Sequence, residues 1–132
     1  MLNLTKTIEY ALISIRHINN NGDKKLYSAK EIATIYNFPG EHLAKILQKL
    51  TKRGYLKSVK GIKGGYALNK NLSNISLIDF IESLEGPIGL VKCSTNLNCE
   101  LLELCNIKNP MNRINNNIRE SLGQLSLYEI TV

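Results

Sequence analysis

The sequence predicts a mainly α-helical fold with one small β-hairpin, arranged as a winged helix-turn-helix and followed by a long C-terminal dimerisation helix. Three observations carry this prediction. Amphipathic stretches with apolar residues at three- and four-residue steps recur along the chain. Two of them, one opening at Ser28 and one near Glu41, are separated only by Asn37-Phe38-Pro39-Gly40. A glycine turn, Gly61-Ile62-Lys63-Gly64-Gly65, follows between two strand-like segments.

The first helix is expected over Thr5–Asn20, with Leu4, Ile8, Ala11, Leu12 and Ile15 on its apolar side. Thr5 can cap it, and Glu9 lies near the positive end of the helix dipole. Asn19–Asp23 is a loop by composition. Ser28-Ala29-Lys30-Glu31 fits a capping box ahead of Ile32, Ala33 and Ile35, giving a helix of about two turns. Pro39 suits the first turn of the next helix, which runs to about Arg53 and ends at Gly54. Leu43, Ile46, Leu47 and Leu50 form its buried stripe. Tyr55–Lys60 and Tyr66–Leu68 make the wing, with Lys60 and Lys63 at its tip. Ser76 opens a short helix that buries Leu77, Phe80, Ile81 and Leu84 and stops at Gly86-Pro87. Glu100–Leu104 suits a single helical turn. Pro110 fits the first position of the last long helix. Its stripe of Met111, Ile114, Ile118 and Leu122 is narrow, as in a pairing seam between two copies. Ser126–Ile130 reads as a capped tail. The division expected is 1–86 for the winged domain, 87–108 for a cysteine loop, and 109–132 for the dimerisation helix and tail.

Composition sets the partners. The chain has 132 residues, 43% of them hydrophobic, which suits one domain with a modest core. Net charge is +6, unevenly spread. Lys24–Lys70 holds 11 basic residues against Glu31 and Glu41, whereas 71–132 holds 4 basic against 7 acidic. A compact basic segment beside an acidic remainder points to a polyanion-binding surface rather than to a solvated charged face. Two helices, a tight break and a basic wing make double-stranded DNA the expected polyanion. No catalytic constellation stands out, and the glycines lack the Gly-x4-Gly-Lys-Ser/Thr pattern of a nucleotide-binding loop. The chain opens without a charged-then-apolar leader, and no apolar run approaches the ~20 residues needed to span a bilayer. A cytoplasmic protein is expected, with no membrane partner.

All three cysteines fall in Cys93-Ser-Thr-Asn-Leu-Asn-Cys99-Glu-Leu-Leu-Glu-Leu-Cys105. The residues between Cys93 and Cys99 are mostly small and polar, which makes a poor core segment. Soft thiolates gathered in one loop suit an iron–sulfur cluster, zinc or copper(I). A chance grouping and a regulatory disulfide are the competing readings, and a fourth ligand has to come from elsewhere or the site stays open.

Leu4-Thr5-Lys6 followed by Glu9-Tyr10-Ala11-Leu12, the segment Leu43–Leu50, the Gly61–Tyr66 wing and the cysteine spacing together resemble the winged-helix iron–sulfur transcriptional regulators. That family includes IscR, NsrR and RirA. The resemblance spans Leu4 to about Val132. It implies a homodimer that binds an operator, with one [2Fe-2S] or [4Fe-4S] cluster per subunit controlling binding. On that pattern Cys93, Cys99 and Cys105 are ligands. The position of the IscR-like histidine ligand is Lys108, a poor ligand. Glu9 matches the carboxylate that NsrR-like members supply from the partner subunit. The resemblance therefore leans towards NsrR- or RirA-like members. The DNA contacts expected are Ser28, Glu41, His42, Lys45, Gln48 and Lys49 in the helix-turn-helix, and Lys60, Lys63, Gly64 and Gly65 in the wing. Of these, His42 and Lys45 are assigned to base edges and Gln48 and Lys49 to phosphate. A cluster-free member sensing by cysteine oxidation is the alternative, and an iron–sulfur electron-transfer or scaffold protein is a third reading.

Overall fold

Thr5 starts the first helix. Its hydroxyl accepts from Ile8 N at 3.3 Å and its carbonyl from Glu9 N at 3.0 Å. In the computed structural model, which describes residues 4–20, 26–89 and 106–131, α1 runs over Lys6–Asn20. The inward stripe is Ile8, Ala11, Ser14, Ile15 and Ile18. Leu4, expected on this face, lies ahead of the first turn and stays exposed, and Leu12 is only partly buried. Ser14 tolerates full burial because its hydroxyl donates to Tyr10 O at 2.7 Å.

The helix-turn-helix is written in local chemistry. Ser28 Oγ accepts from Glu31 N at 3.1 Å and caps α2 (Ala29–Tyr36). Asn37 ends α2 in the left-handed region, φ 56°, a conformation Asn adopts more readily than other side-chain-bearing residues. α3 (Gly40–Lys52) follows at once, with Pro39 as its N-cap rather than inside its first turn. A row of rings clamps this turn onto α1. Tyr10 stacks on Phe38 at 4.1 Å, Phe38 on Tyr36 at 5.5 Å, and Tyr36 meets His17 both edge-on and through a 2.9 Å Nδ1–hydroxyl hydrogen bond.

The wing is an antiparallel pair, β1 (Leu56–Val59) and β2 (Gly65–Leu68), in register from Leu56↔Leu68 to Val59↔Gly65. Tyr27 extends it on the far side of β2, exchanging two backbone hydrogen bonds with Tyr66 at 2.8 and 3.1 Å. This close approach excludes a side chain at Gly65, whose Cβ would stand 2.7 Å from the Tyr27 carbonyl carbon.

After a 3₁₀ turn at Leu72–Asn74, Ser76 Oγ accepts from Asp79 N and caps α4 (Leu77–Glu85). The C-terminal helix α5 (Lys108–Gly123) begins two residues before Pro110. Pro110 is still in the first turn, where backbone N–H groups have no helical partner to lose. The tail α6 (Leu127–Thr131) opens with a reciprocal box: Glu129 N donates to Ser126 Oγ, and Ser126 N to Glu129 Oε2.

The tail does not stand apart. Leu77 N donates to Leu125 O, Leu127 N to Ile75 O, and Leu127 is fully buried in the main core with Phe80, Ile8 and Leu47. The end of the segment expected as dimerisation helix and tail thus shares the core of the winged domain. No described helix is long and apolar enough to cross a membrane.

Candidate nucleic-acid interface

α3 buries Leu43, Ile46, Leu47 and Leu50 and turns its opposite side outward. Glu41, Lys45, Gln48 and Lys52 recur at steps of four, three and four, so they form one line along the helix, and all are exposed. Three of these were expected at the interface. Lys52 adds a fourth, since its spacing from Lys45 and Gln48 puts it on the same line. This line can present one carboxylate, two ammonium groups and an amide to base edges and phosphates.

Two of the expected contacts have other work. His42 is half-buried on the flank facing α1, with Nε2 3.3 Å from Thr7 Oγ1 and its ring edge-on to Tyr10 at 5.4 Å. It lies roughly a quarter turn from the exposed line, which does not favour the expected role at a base edge. Lys49 lies on the same flank one helical repeat later. Its ammonium donates to Leu84 O at 2.7 Å, satisfying a last-turn carbonyl of α4 and complementing the negative end of that helix. That contact occupies the ammonium in the DNA-free chain. Both lie off the buried stripe that periodicity gives, but periodicity does not show that α1 and α4 pack beside that flank.

The wing carries the second half of the surface. Lys57, Lys60 and Lys63 are exposed, and Lys57 is an addition to the expected set. Gly64 and Gly65 are dictated by packing. A Cβ on Gly64 would fall 2.1 Å from Val59 O, and one on Gly65 would strike Tyr27. They shape the wing, so the glycine pattern needs no phosphate to explain it. Ser28 is half-buried at the α2 N-terminus, with its Oγ engaged in capping.

Of the expected cluster ligands, Cys93, Cys99 and Cys105 lie outside the described residues, as do the expected turn at Glu100–Leu104 and most of the loop 87–108. Glu9 is described. It sits in the first turn of α1, its side chain is 42% exposed, and Oε2 is 3.0 Å from Lys6 Nζ. That exposure leaves the carboxylate open to a second chain. Lys6 is held above its usual pKa of 10.5, first by the hydrogen bond from its ammonium to Glu9 and then by the charge. Among the described residues no group of three or more metal-ligating side chains comes together.

α5 has the opposite character to α3. Only Asn115 is fully buried, while Ile114 is 47% exposed and Met111, Ile118 and Leu122 are half-buried. Ile114, Asn117, Ile118, Ser121 and Leu122 line a shallow hollow along it. Arg119 fastens the helix to α4 through a 2.7 Å contact with Glu82, which also raises the arginine's pKa.

Comparison with known proteins agrees with this arrangement. A family model, Rrf2, described as an iron-dependent transcriptional regulator, matches residues 4–132. The fold superposes on CymR, the global cysteine regulator of B. subtilis, with a TM-score of 0.78 and 27% identity over 99% of this chain and 97% of that one. Staphylococcus aureus CymR gives 0.74 and 25% over 96% of each chain. IscR of T. potens gives 0.71 and 23%, over 98% of this chain and 85% of the other, a likeness of fold.

Proposed function

Because this chain belongs to the Rrf2 family of transcriptional regulators, we propose that it binds operator DNA as a homodimer and that an iron–sulfur cluster sets its affinity. The family is one of DNA-binding regulators, not of enzymes. The observation that carries the DNA half is the exposed line Glu41–Lys45–Gln48–Lys52 on α3, set beside a wing bearing Lys57, Lys60 and Lys63. Lys45 reaches base edges in the major groove, Gln48 meets phosphate, and the wing lysines meet phosphate or the adjacent minor groove. Two copies joined along α5 read half-sites about one helical turn apart.

The cluster half rests on donor chemistry. Cys93, Cys99 and Cys105 would hold a cluster, with Glu9 of the partner subunit as fourth ligand. Three thiolates and one carboxylate suit an iron–sulfur centre in which the hard oxygen is the weak ligand. The exposed, singly paired Glu9 carboxylate fits that part. Such a centre, when bound, would supply reactivity towards nitric oxide and oxygen and an occupancy that follows iron supply. The residues of this chain then transmit its state. Glu9 and Thr7 share one end of α1, Thr7 is bonded to His42 of α3, and Thr5 donates to Glu85 at the end of α4. Through these contacts the same end of α1 would couple Glu9 to the recognition helix.

A second reading has its own support. The likeness to CymR, a cysteine regulator, extends over nearly all of both chains at 27% identity. A cluster-free regulator would then respond through its thiols or a partner protein. Anaerobic purification with an iron count and absorption spectrum separates the two. Fluorescence anisotropy on a duplex selected from a random pool tests the DNA half. Cluster-loaded and apo protein should differ in affinity, and log K should fall linearly with log salt for both. A preparation without iron that binds DNA in a thiol-dependent way establishes the second reading instead.

A further inference from the structure

The wing tip carries one residue that the DNA-binding reading has not used. Ile62 is 106% exposed, as open as an isoleucine in an extended peptide, and the next most exposed large apolar side chain among the described residues, Ile35, is at 58%. Single exposed apolar residues are ordinary on protein surfaces. This one differs in how it is held. Gly64 N donates to Gly61 O at 3.0 Å, closing a four-residue turn whose two corners are Ile62 and Lys63. Gly61 takes φ +122° and Gly64 packs against Val59 O, so the turn is specified by its glycines. An aliphatic side chain and an ammonium are thus presented side by side on a short, hydrogen-bonded tip, with Lys60 and Lys57 behind them.

We infer that Ile62 is an apolar wedge that enters the minor groove beside each half-site while Lys63 and Lys60 hold the flanking phosphates. This rests on the DNA-binding reading and adds a contact to it. The charge around the tip selects a polyanion over an apolar partner. The minor groove takes aliphatic side chains between base steps, partly unstacking them and bending the duplex towards the major groove. Flexible pyrimidine–purine steps such as TA yield at least cost, so Ile62 reads sequence by deformability at a step that no side chain contacts through hydrogen bonds. The prearranged turn keeps the ordering cost of insertion small.

The test uses the full-length protein and a duplex that the wild type selects from a random-sequence pool. Ile62→Ser should fold and melt as the wild type does, because the side chain is fully exposed. It should bind about tenfold more weakly, with an unchanged salt slope, because apolar burial is lost and no charge is removed. Ile62→Leu should restore most of the affinity. The DNA bend, read by end-to-end energy transfer, should shrink with Ile62→Ser. Replacing the step beneath the wing by GC should weaken the wild type and leave Ile62→Ser little changed. Equal affinity and bend for wild type and Ile62→Ser overturn the inference and leave the DNA-binding reading standing. A wild type that selects no duplex overturns both.

Discussion

Two helices of this chain, α3 and α5, are both amphipathic and both present an open face, yet they are finished to different degrees. α3 buries four large aliphatic residues completely and shows solvent only polar groups on its outer line. α5 fully buries a single asparagine and leaves Ile114 and Ile118 facing outward around a shallow hollow. The first helix is complete within one chain, and its open face suits a polyanion. The second leaves Ile114 uncovered among the described residues, and in the proposed homodimer a second copy of the same stripe would cover it. What a helix leaves exposed, more than what it buries, tells which kind of molecule it meets.

The largest expected effect comes from breaking the apolar side of this contrast. Ile118→Asp places an unpaired charge in the seam and should cost the dimer roughly 3 kcal/mol or more. Ile114→Asp is the companion variant, since Ile114 is already 47% exposed within the chain and its replacement spares the fold. Light scattering should report folded monomers for Ile114→Asp. If that variant remains fully dimeric, α5 is not the seam.

Next in size is the flank of α3. Lys49→Met removes the charge-assisted bond to Leu84 O and leaves a helix-end carbonyl unpaired, at about 2 kcal/mol of stability. Denaturant unfolding should show that loss, while the salt slope of DNA binding stays as it was. Lys45→Ala should do the reverse. The melting temperature holds, affinity falls by about 1–2 kcal/mol, and the preferred duplex sequence changes. A large drop in salt slope with Lys49→Met would return that residue to the phosphate surface.

His42 and Lys49 also mark how far the sequence could be read. The caps were legible because a cap is settled within four residues, as at Ser28, Ser76 and the Ser126–Glu129 box. The wing was legible because its glycines leave few alternatives. The outer line of α3 was legible too, and Lys52 follows from the same arithmetic that gave Lys45. The flanks were not. A side chain a quarter turn from the exposed line becomes exposed or engaged according to which helix packs beside it, and α1 and α4 are distant in sequence. Burial of Leu127 in the first core is of the same kind, a tertiary return that no local pattern announces. The cysteine spacing is legible as chemistry, but its three thiols lie outside the described residues.

A smaller effect sharpens the polar side. Lys63→Ala at the wing tip should reduce the salt slope by about one unit if one phosphate contact is lost, with sequence preference intact. Titrating the same duplex at several salt concentrations reads this directly. An unchanged slope would confine phosphate binding to Lys57, Lys60 and α3.

The smallest expected effect concerns stability at Glu9, and its smallness is what makes it useful. The Lys6–Glu9 pair is a surface i, i+3 contact between side chains that are 71% and 42% exposed, a class that contributes little to folding. The sign of its pH dependence follows from the lysine. The folded pKa of Lys6 is raised, so the lysine's contribution is complete at neutral pH and is lost as pH climbs past the usual lysine value towards the raised one. Glu9→Ala should therefore leave the melting temperature of the apo protein unchanged at pH 7, and its dimer intact. If Glu9 is the fourth ligand, the same variant, anaerobically loaded with iron and sulfide, should show a shifted absorption spectrum and faster bleaching in air, while Cys99→Ala should bind no cluster at all. A Glu9→Ala protein that loads normally and keeps both its spectrum and its resistance to oxygen would leave the carboxylate as an ordinary first-turn residue favoured by the helix dipole, with the fourth position filled by another group.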